Sequence, residues 1–121
     1  MTPTSILLVQ HDRQGRESLA TILRRSKYKI SAVEKATHAL NLLEDEKTTF
    51  NCLIVVDHLE DMPGQELIGL ARAGRPGIKT VMISFNPHDE EEKFVKASGC
   101  DVYMPDYSDK NILLKAIERL L

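Results

Sequence analysis

Five short apolar runs alternate with five segments of helical periodicity, and this alternation constrains the fold of the chain more than any other feature. The runs span residues 5–9, 29–33, 52–57, 80–84 and 101–104. The segment after the first run carries Leu19, Ile22 and Leu23 at the i, i+3, i+4 spacing of one helix face. Parallel strands need a helical crossover at each connection, and right-handed crossovers place helices on both faces of the sheet. The pattern therefore predicts a doubly wound, five-stranded parallel sheet in a three-layer α/β/α arrangement.

Capping residues and apolar stripes set the expected helix limits. Asp12 is a candidate N-cap of the first helix, and Ser108 or Asp109 is a candidate N-cap of the last. The middle helices are predicted over residues 37–46, 65–73 and 89–98. The last helix is predicted to bury one stripe, formed by Ile112, Leu113, Ala116, Ile117 and Leu120. Residues 89–92 are four consecutive acids, which we interpret as a solvated first turn that interacts with the helix dipole.

The composition predicts one domain over residues 1–121. Hydrophobic residues make up 42% of the 121 residues, which is enough for one core without disulfides or metal. The 16 basic and 18 acidic residues give a net charge of -2, so no overall field attracts nucleic acid or an anionic membrane. Cys52 and Cys100 lack metal-ligand spacing and are predicted to be free buried thiols. No apolar stretch approaches the ~20 residues that span a bilayer, and no signal peptide is evident, so we expect a cytoplasmic protein.

One carboxylate stands where open α/β sheets bind their ligands. Asp57 follows the apolar run 52–56 and precedes a turn-forming stretch that contains Pro63 and Gly64. In such sheets the ligand lies beyond the carboxyl ends of the strands, so Asp57 is the first candidate for chemistry. The alternative is that its carboxylate accepts hydrogen bonds from backbone N–H groups of the turn.

Five segments, taken in order, resemble the receiver domains of two-component response regulators. They read Ile-Leu-Leu-Val at 6–9, Leu-Ile-Val-Val-Asp at 53–57, Asp-Met-Pro-Gly-Gln-Glu-Leu at 61–67, Val-Met-Ile-Ser at 81–84 and Gly-Cys-Asp-Val-Tyr at 99–103. The resemblance covers nearly the whole chain and implies a flavodoxin-like (βα)5 fold. It also implies a signalling domain rather than an enzyme, with a histidine kinase or phosphotransfer protein as its phosphate donor.

The resemblance also assigns roles to particular residues. Asp57 matches the phosphoacceptor, Ser84 the hydroxyl that contacts phosphoryl oxygens, and Tyr103 the switch aromatic that turns inward. In the family, an acidic pair after the first strand holds Mg²⁺, and a lysine after the fifth strand contacts the phosphoryl group. Phosphoryl transfer depends on this management of charge more than on covalent help from the protein.

The acidic pair is the first departure from the family pattern. Gln10 and His11 stand in its place, and Asp12 lies one position further on. If Mg²⁺ binds, its ligands would be His11, Asp12 and Asp57, a degenerate set, because hard Mg²⁺ prefers oxygen ligands to imidazole. We expect His11 instead to pair with Asp57 or Asp106.

The lysine is the second departure. Ungapped family spacing from Ser84 puts Asp106 at the lysine position and Tyr107 where a cis proline is usual, whereas a gapped alignment puts Met104 at the lysine position and Pro105 at the proline. Both alignments lose the lysine. An acid there would repel a phosphoryl group on Asp57 by roughly 4 kcal/mol at ~4 Å and an effective dielectric constant near ~20. The loop at residues 59–61 is also one residue shorter than the common form.

Two functions remain open at this point. In a working receiver, Asp57 accepts phosphate and shifts the surface of the fourth helix, fifth strand and fifth helix. In a pseudo-receiver, partner binding alone sets that surface, and the missing acids and lysine favour this reading because electrostatic stabilisation supplies much of the transfer rate. The expected partner surface contains Tyr103 and Tyr107 and would bind a kinase, an output domain or a second copy of the chain. An enzyme or cofactor binder is disfavoured because residues 10–15 hold a single glycine and no phosphate-binding loop.

Overall fold

A computed structural model of the chain describes residues 3–106 and 109–121. Strands and helices alternate as the sequence predicts. The strands are β1 (Ser5–Val9), β2 (Lys29–Val33), β3 (Cys52–Val56), β4 (Lys79–Ser84) and β5 (Val102–Pro105). The helices are α1 (Arg13–Arg25), α2 (Ala36–Glu44), α3 (Gly64–Gly74), α4 (Asp89–Ala97) and α5 (Lys110–Leu120).

The five strands form one parallel sheet in the order β2-β1-β3-β4-β5. The order reverses direction beside β1, since β2 lies on one side of it and β3 on the other. Ligands of open α/β sheets bind beyond the strand ends at such a switch point. The flavodoxin-like fold class is confirmed, and it brings the residues after β1, β3, β4 and β5 to one edge.

The alternation of side chains in the strands divides the core into two clusters, one on each face of the sheet. In β3 all five residues are buried, as expected for a central parallel strand. Leu53 and Val55 pack with the buried residues of α2, α3 and α4. Cys52, Ile54 and Val56 pack with the buried residues of α1 and α5. Helices therefore cover both faces, which confirms the three-layer prediction.

The helix limits follow the predicted caps, with one difference in the last helix. Asp12 accepts a hydrogen bond from the Gly15 N–H at 2.7 Å, and Asp109 accepts one from the Asn111 N–H at 2.7 Å. Ser108, the alternative cap, lies outside the described residues. The predicted apolar stripe of α5 is wrong at Ile112, which is 55% exposed, because α5 turns its buried face toward Leu113 and Ile117.

β5 is an edge strand that ends one residue later than the sequence suggests. Pro105 pairs in register with Ser84, and the Asp106 N–H donates to the Ser84 carbonyl at 2.8 Å. An edge position tolerates proline because one side of the strand needs no ladder donor.

Within the described residues, no helix is both long and apolar enough to cross a membrane.

Candidate functional site at the carboxyl edge of the sheet

Asp57 is the first residue beyond β3 and lies next to the end of β4. Its N–H donates to the Ile83 carbonyl at 2.8 Å, which continues the ladder between the two strands. Strand alternation turns its half-buried side chain to the α2–α4 face, where it meets α3. A Cβ added at Gly64 would lie 3.3 Å from Asp57 Oδ1 and 3.1 Å from Val55 Cγ1, so a glycine allows α3 to begin this close to the carboxylate.

The carboxylate of Asp57 does not act as a cap for the turn that follows it. Among residues 3–106 and 109–121, no backbone or side-chain group donates a hydrogen bond to it. The alternative interpretation of Asp57 as a turn-capping residue is therefore not supported by the described part of the chain. A half-buried carboxylate with this freedom remains available to a ligand or a reagent.

Ser84 and Tyr103 share one acceptor, the carboxylate of Glu91 on α4. The Ser84 hydroxyl donates to Glu91 Oε1 at 2.8 Å, and the Tyr103 hydroxyl donates to the same oxygen at 2.7 Å. Ser84 is 1% exposed, and its Oγ also accepts the Asn86 N–H at 3.2 Å. The Tyr103 ring packs against the α2–α4 core cluster. The structure thus unites two of the predicted site residues through a third that the sequence did not single out.

Several groups act on the Tyr103 hydroxyl in opposite directions. Burial is the largest cause and raises the pKa of Tyr103, the contact with Ser84 lowers it, and the Glu91 carboxylate raises it. The net result is a pKa above the ordinary value of 10.0. The phenol therefore stays protonated at neutral pH and remains a hydrogen-bond donor to Glu91.

His88 orients the second oxygen of Glu91. As the N-cap of α4, the His88 Nδ1 accepts the Glu91 N–H at 3.2 Å, and its Nε2 lies 3.5 Å from Glu91 Oε2. The prediction that residues 89–92 form a solvated helix start is wrong at Glu91, whose side chain is only 22% exposed. The sequence alone does not predict the low exposure of Glu91, because the four consecutive acids differ only in the direction in which the helix points their side chains.

Gln10 and Asp106 line a different part of the edge, on the α1–α5 face. They border a cleft of about 300 Å³ together with Asp12, Ser18 and Lys110. Gln10 is 7% exposed, and its Oε1 has no hydrogen-bond partner among the described residues. The residues that border this cleft do not include Asp57, so the structure does not bring Asp106 and Asp57 together there.

His11 pairs with two glutamates and not with Asp57 or Asp106, so that expectation is wrong in its partners. Its Nε2 lies 3.2 Å from Glu60 Oε1, and its Nδ1 lies 3.4 Å from Glu34 Oε1 without hydrogen-bond geometry. The reason is the strand order, because β1 lies between β2 and β3 and the loops after these strands carry the two glutamates to its end.

Asp61 caps α2, a role that the sequence did not indicate. Its Oδ1 accepts the Ala36 N–H at 3.0 Å, and its Oδ2 accepts the Thr37 N–H at 2.9 Å. Desolvation raises the pKa of Asp61, but the backbone hydrogen bonds from Thr37 and Ala36 together lower it further, so the net pKa is below the ordinary 3.8. The loop between β3 and α3 is therefore held in place through Asp61.

The other candidate ligands are occupied or remote. Asp12 serves as the N-cap of α1, and no three His, Cys, Asp or Glu side chains in the described ranges are grouped to hold a metal ion.

Cys52 and Cys100 are free and buried, as predicted. Burial is the main cause that raises the pKa of Cys52 to about 12 and of Cys100 to about 11, so both remain unreactive thiols. His58 is exposed and stacks on Phe85 with ring centroids 5.4 Å apart.

Comparison with known proteins gives this edge its context. No protein-family profile matches the sequence. A CheY-like response regulator receiver domain protein from Methanospirillum hungatei JF-1 superposes with a TM-score of 0.89 and 29% identity, covering 98% of this chain and 94% of that one. This chain is a receiver domain of the two-component response-regulator type. The resemblance found in the sequence is thereby confirmed.

Two relatives place the receiver domain within longer proteins. Protein PetR of Rhodobacter capsulatus is 30% identical over 117 residues, covering 94% of this chain and 47% of PetR. The two-component response regulator ORR22 of Oryza sativa subsp. japonica is 32% identical over 100 residues, covering 79% of this chain and 14% of ORR22. The chain thus spans half or less of these relatives, and receiver domains as a class are signalling domains.

Proposed function

We propose that this receiver domain works as a pseudo-receiver, a signalling module in which partner binding and not phosphorylation of Asp57 sets the state of the α4-β5-α5 surface. The observation that carries the proposal is the set of side chains around the strand ends. An amide and an imidazole follow β1 at Gln10 and His11, and an acid follows β5 at Asp106. A phosphoryl group on Asp57 would meet neither a carboxylate-held metal nor a lysine from these positions.

The donor set does not fit Mg²⁺. Magnesium requires nearly octahedral oxygen coordination and is usually held through carboxylates. His11 offers nitrogen and is already flanked by Glu34 and Glu60, while Asp12 is committed to the Gly15 N–H. Gln10 Oε1 has no hydrogen-bond partner among the described residues, but a neutral amide does not supply the carboxylate charge through which Mg²⁺ is usually held. The residues present at this edge therefore do not support chemistry through Mg²⁺.

The engagement of Ser84 supports the same conclusion. The serine hydroxyl has one proton to donate, and Glu91 accepts it at 2.8 Å. A phosphoryl oxygen on Asp57 would have to displace Glu91 to obtain this hydrogen bond. The retained Asp57, half-buried and without hydrogen bonds in the described part of the chain, is the one feature that favours the working-receiver alternative.

Partners are proposed from the exposed apolar residues of the last helices. Phe94 on α4 is 61% exposed, and Ile112 on α5 is 55% exposed. Large exposed apolar side chains of this kind commonly mark protein interaction sites when they cluster. We assign this surface to a histidine kinase, a phosphotransfer protein, an output domain or a second copy of the chain. Tyr107, which the sequence also placed here, lies outside the described residues.

Restoring the missing charges tests the proposal. The triple variant Gln10→Asp, His11→Asp, Asp106→Lys should gain Mg²⁺-dependent chemical shift changes at Asp57 in an NMR titration, because it supplies two carboxylates and a cation to the edge. The wild type should show none up to millimolar Mg²⁺. The matched control is Glu46→Asp, a carboxylate change remote from this edge. Saturable Mg²⁺ shifts at Asp57 in the wild type would contradict the proposal.

A further inference from the structure

We propose that Glu91 is a positioning residue that holds α4 against β4 and β5 in one arrangement, by acting as the common acceptor for the hydroxyls of Ser84 and Tyr103. The inference rests on the proposed function, because it names the group that sets the partner surface when no phosphate is present. The Glu91 carboxylate accepts the hydrogen bonds that the two hydroxyls would otherwise donate to an incoming anion.

The contact joins three elements through one atom. Glu91 Oε1 lies 2.8 Å from Ser84 Oγ at the end of β4 and 2.7 Å from the Tyr103 hydroxyl on β5. Both donors are hydroxyls that bind a carboxylate, and such charge-assisted hydrogen bonds are about twice as strong as neutral ones. His88 stands 3.5 Å from the other carboxylate oxygen, which further limits the rotation of the side chain.

The contact matters because α4 has little apolar packing that attaches it to the rest of the domain. Of its nine residues only Val95 is buried, whereas Phe94 on the same helix is 61% exposed. Helical stability in proteins comes mostly from the packing of an apolar face, and a helix with one buried residue has little of that. The polar tie of Glu91 therefore contributes a large share of the attachment of α4.

The same contact fixes the side chain of Tyr103. With its hydroxyl on Glu91, the ring lies against the α2–α4 core cluster. Turning the ring outward would remove one of two hydroxyl donors from a carboxylate that is only 22% exposed, and hydrogen bonds to charged groups are costlier to lose than neutral ones. Glu91 and Tyr103 thus keep each other in place, and a partner that binds this surface meets a preset arrangement.

Glu91→Ala tests the inference against Glu92→Ala, since both substitutions remove one acid from the first turn of α4. Among the described residues, the Glu92 side chain forms only an exposed i,i+4 pair, with Lys96 at 3.4 Å. Amide hydrogen exchange in α4 should become about tenfold faster or more in Glu91→Ala, but change by no more than about twofold in Glu92→Ala. Amides of β1 and β3 should keep their rates, and the Tyr103 ring signals should move toward those of an exposed tyrosine in Glu91→Ala alone.

Equal exchange of α4 in the two variants, with unmoved Tyr103 signals, would overturn the inference. If Glu91→Ala does not fold, Tyr103→Phe and Ser84→Ala each remove one donor, and each should speed exchange in α4 by a smaller factor. Unchanged α4 exchange in both of these would also overturn it. These measurements use neither phosphate nor Mg²⁺, so a negative result would leave the Mg²⁺ titration unaffected. Conversely, Mg²⁺ binding by the wild type would contradict the proposed function but not the role of Glu91.

Discussion

Asp61 shows how one side chain can hold two loops of the carboxyl edge together. It lies between β3 and α3, yet its carboxylate caps the N-terminus of α2, where Ala36 and Thr37 donate backbone N–H groups. Lys35, the residue at the N-cap position itself, makes no side-chain cap. The cap of α2 thus comes from a residue distant in sequence, and it anchors the loop that carries Glu60 to His11.

The charge of this cap should make the stability of the domain depend on pH in a defined way. Folding lowers the pKa of Asp61, so its stabilisation is complete above the ordinary value of 3.8 and is lost as the pH falls through the lower folded value. Asp61→Asn should therefore reduce the free energy of unfolding at pH 7 by ~0.3–1 kcal/mol, the range for an exposed acid at a helix N-terminus. Urea unfolding between pH 7 and pH 2 should show the difference from wild type shrinking below about pH 4.

The control for this titration is Glu46→Gln, which neutralises an exposed acid in the α2–β3 loop. It should leave the pH dependence of unfolding unchanged. A constant gap between wild type and Asp61→Asn across the whole pH range would mean that the charge of Asp61 plays no part in the cap.

At the scale of elements, Arg75 joins the ends of two helices. It follows α3, and its Nε donates to the Leu43 carbonyl of α2 at 2.9 Å. Its Nη1 donates to the Thr48 carbonyl at 2.8 Å, and its Nη2 donates to the Asp45 carbonyl at 2.8 Å. The last carbonyls of a helix lack partners within the helix, and a cation there is favourable to the dipole. One guanidinium thus closes the C-terminal end of α2 and links it to α3.

Removing this guanidinium should destabilise the domain more than removing an ordinary surface cation. Arg75→Ala is expected to lower the free energy of unfolding by about 2–3 kcal/mol, since the hydrogen bonds to three backbone carbonyls are lost together. Arg75→Lys should recover less than half of the loss, because an ammonium group cannot reproduce the planar fork of donors. Arg25→Ala, at an exposed cation in the last turn of α1, should change it by less than about 0.5 kcal/mol in the same denaturant titration. Equal losses for Arg75→Ala and Arg25→Ala would show that the hydrogen bonds of Arg75 do not stabilise the link between α2 and α3.

At the scale of the whole molecule, the fold follows from local pattern, whereas the site follows from contacts that no local pattern contains. Strand and helix periodicities, the Asp12 and Asp109 caps and the rule for parallel crossovers are read within short windows, and the structure reproduces them. The pairing of His11 with Glu34 and Glu60, and the hydrogen bond that Tyr103 donates to Glu91, depend on which segments the strand order makes neighbours. Each of those acids looks like an ordinary solvated residue in the sequence.

The same strand order explains how a receiver fold can form with different charges at its carboxyl edge. Asp57, Ser84 and Tyr103 are held by the sheet, which needs no charge at its edge to form. Gln10, His11 and Asp106 occupy the same edge without disturbing the strands, and the partners of His11 come from the loops. The fold therefore fixes the positions of the side chains at this edge but not their charges.

The intact mass of the protein after incubation with acetyl phosphate and Mg²⁺ tests this account most directly, with Asp57→Ala as the control. We expect no phosphoryl-sized increase in the wild type and none in Asp57→Ala, whereas the triple variant Gln10→Asp, His11→Asp, Asp106→Lys becomes modified. A phosphoryl adduct on the wild type that Asp57→Ala abolishes would contradict the account and establish a phosphate-accepting receiver.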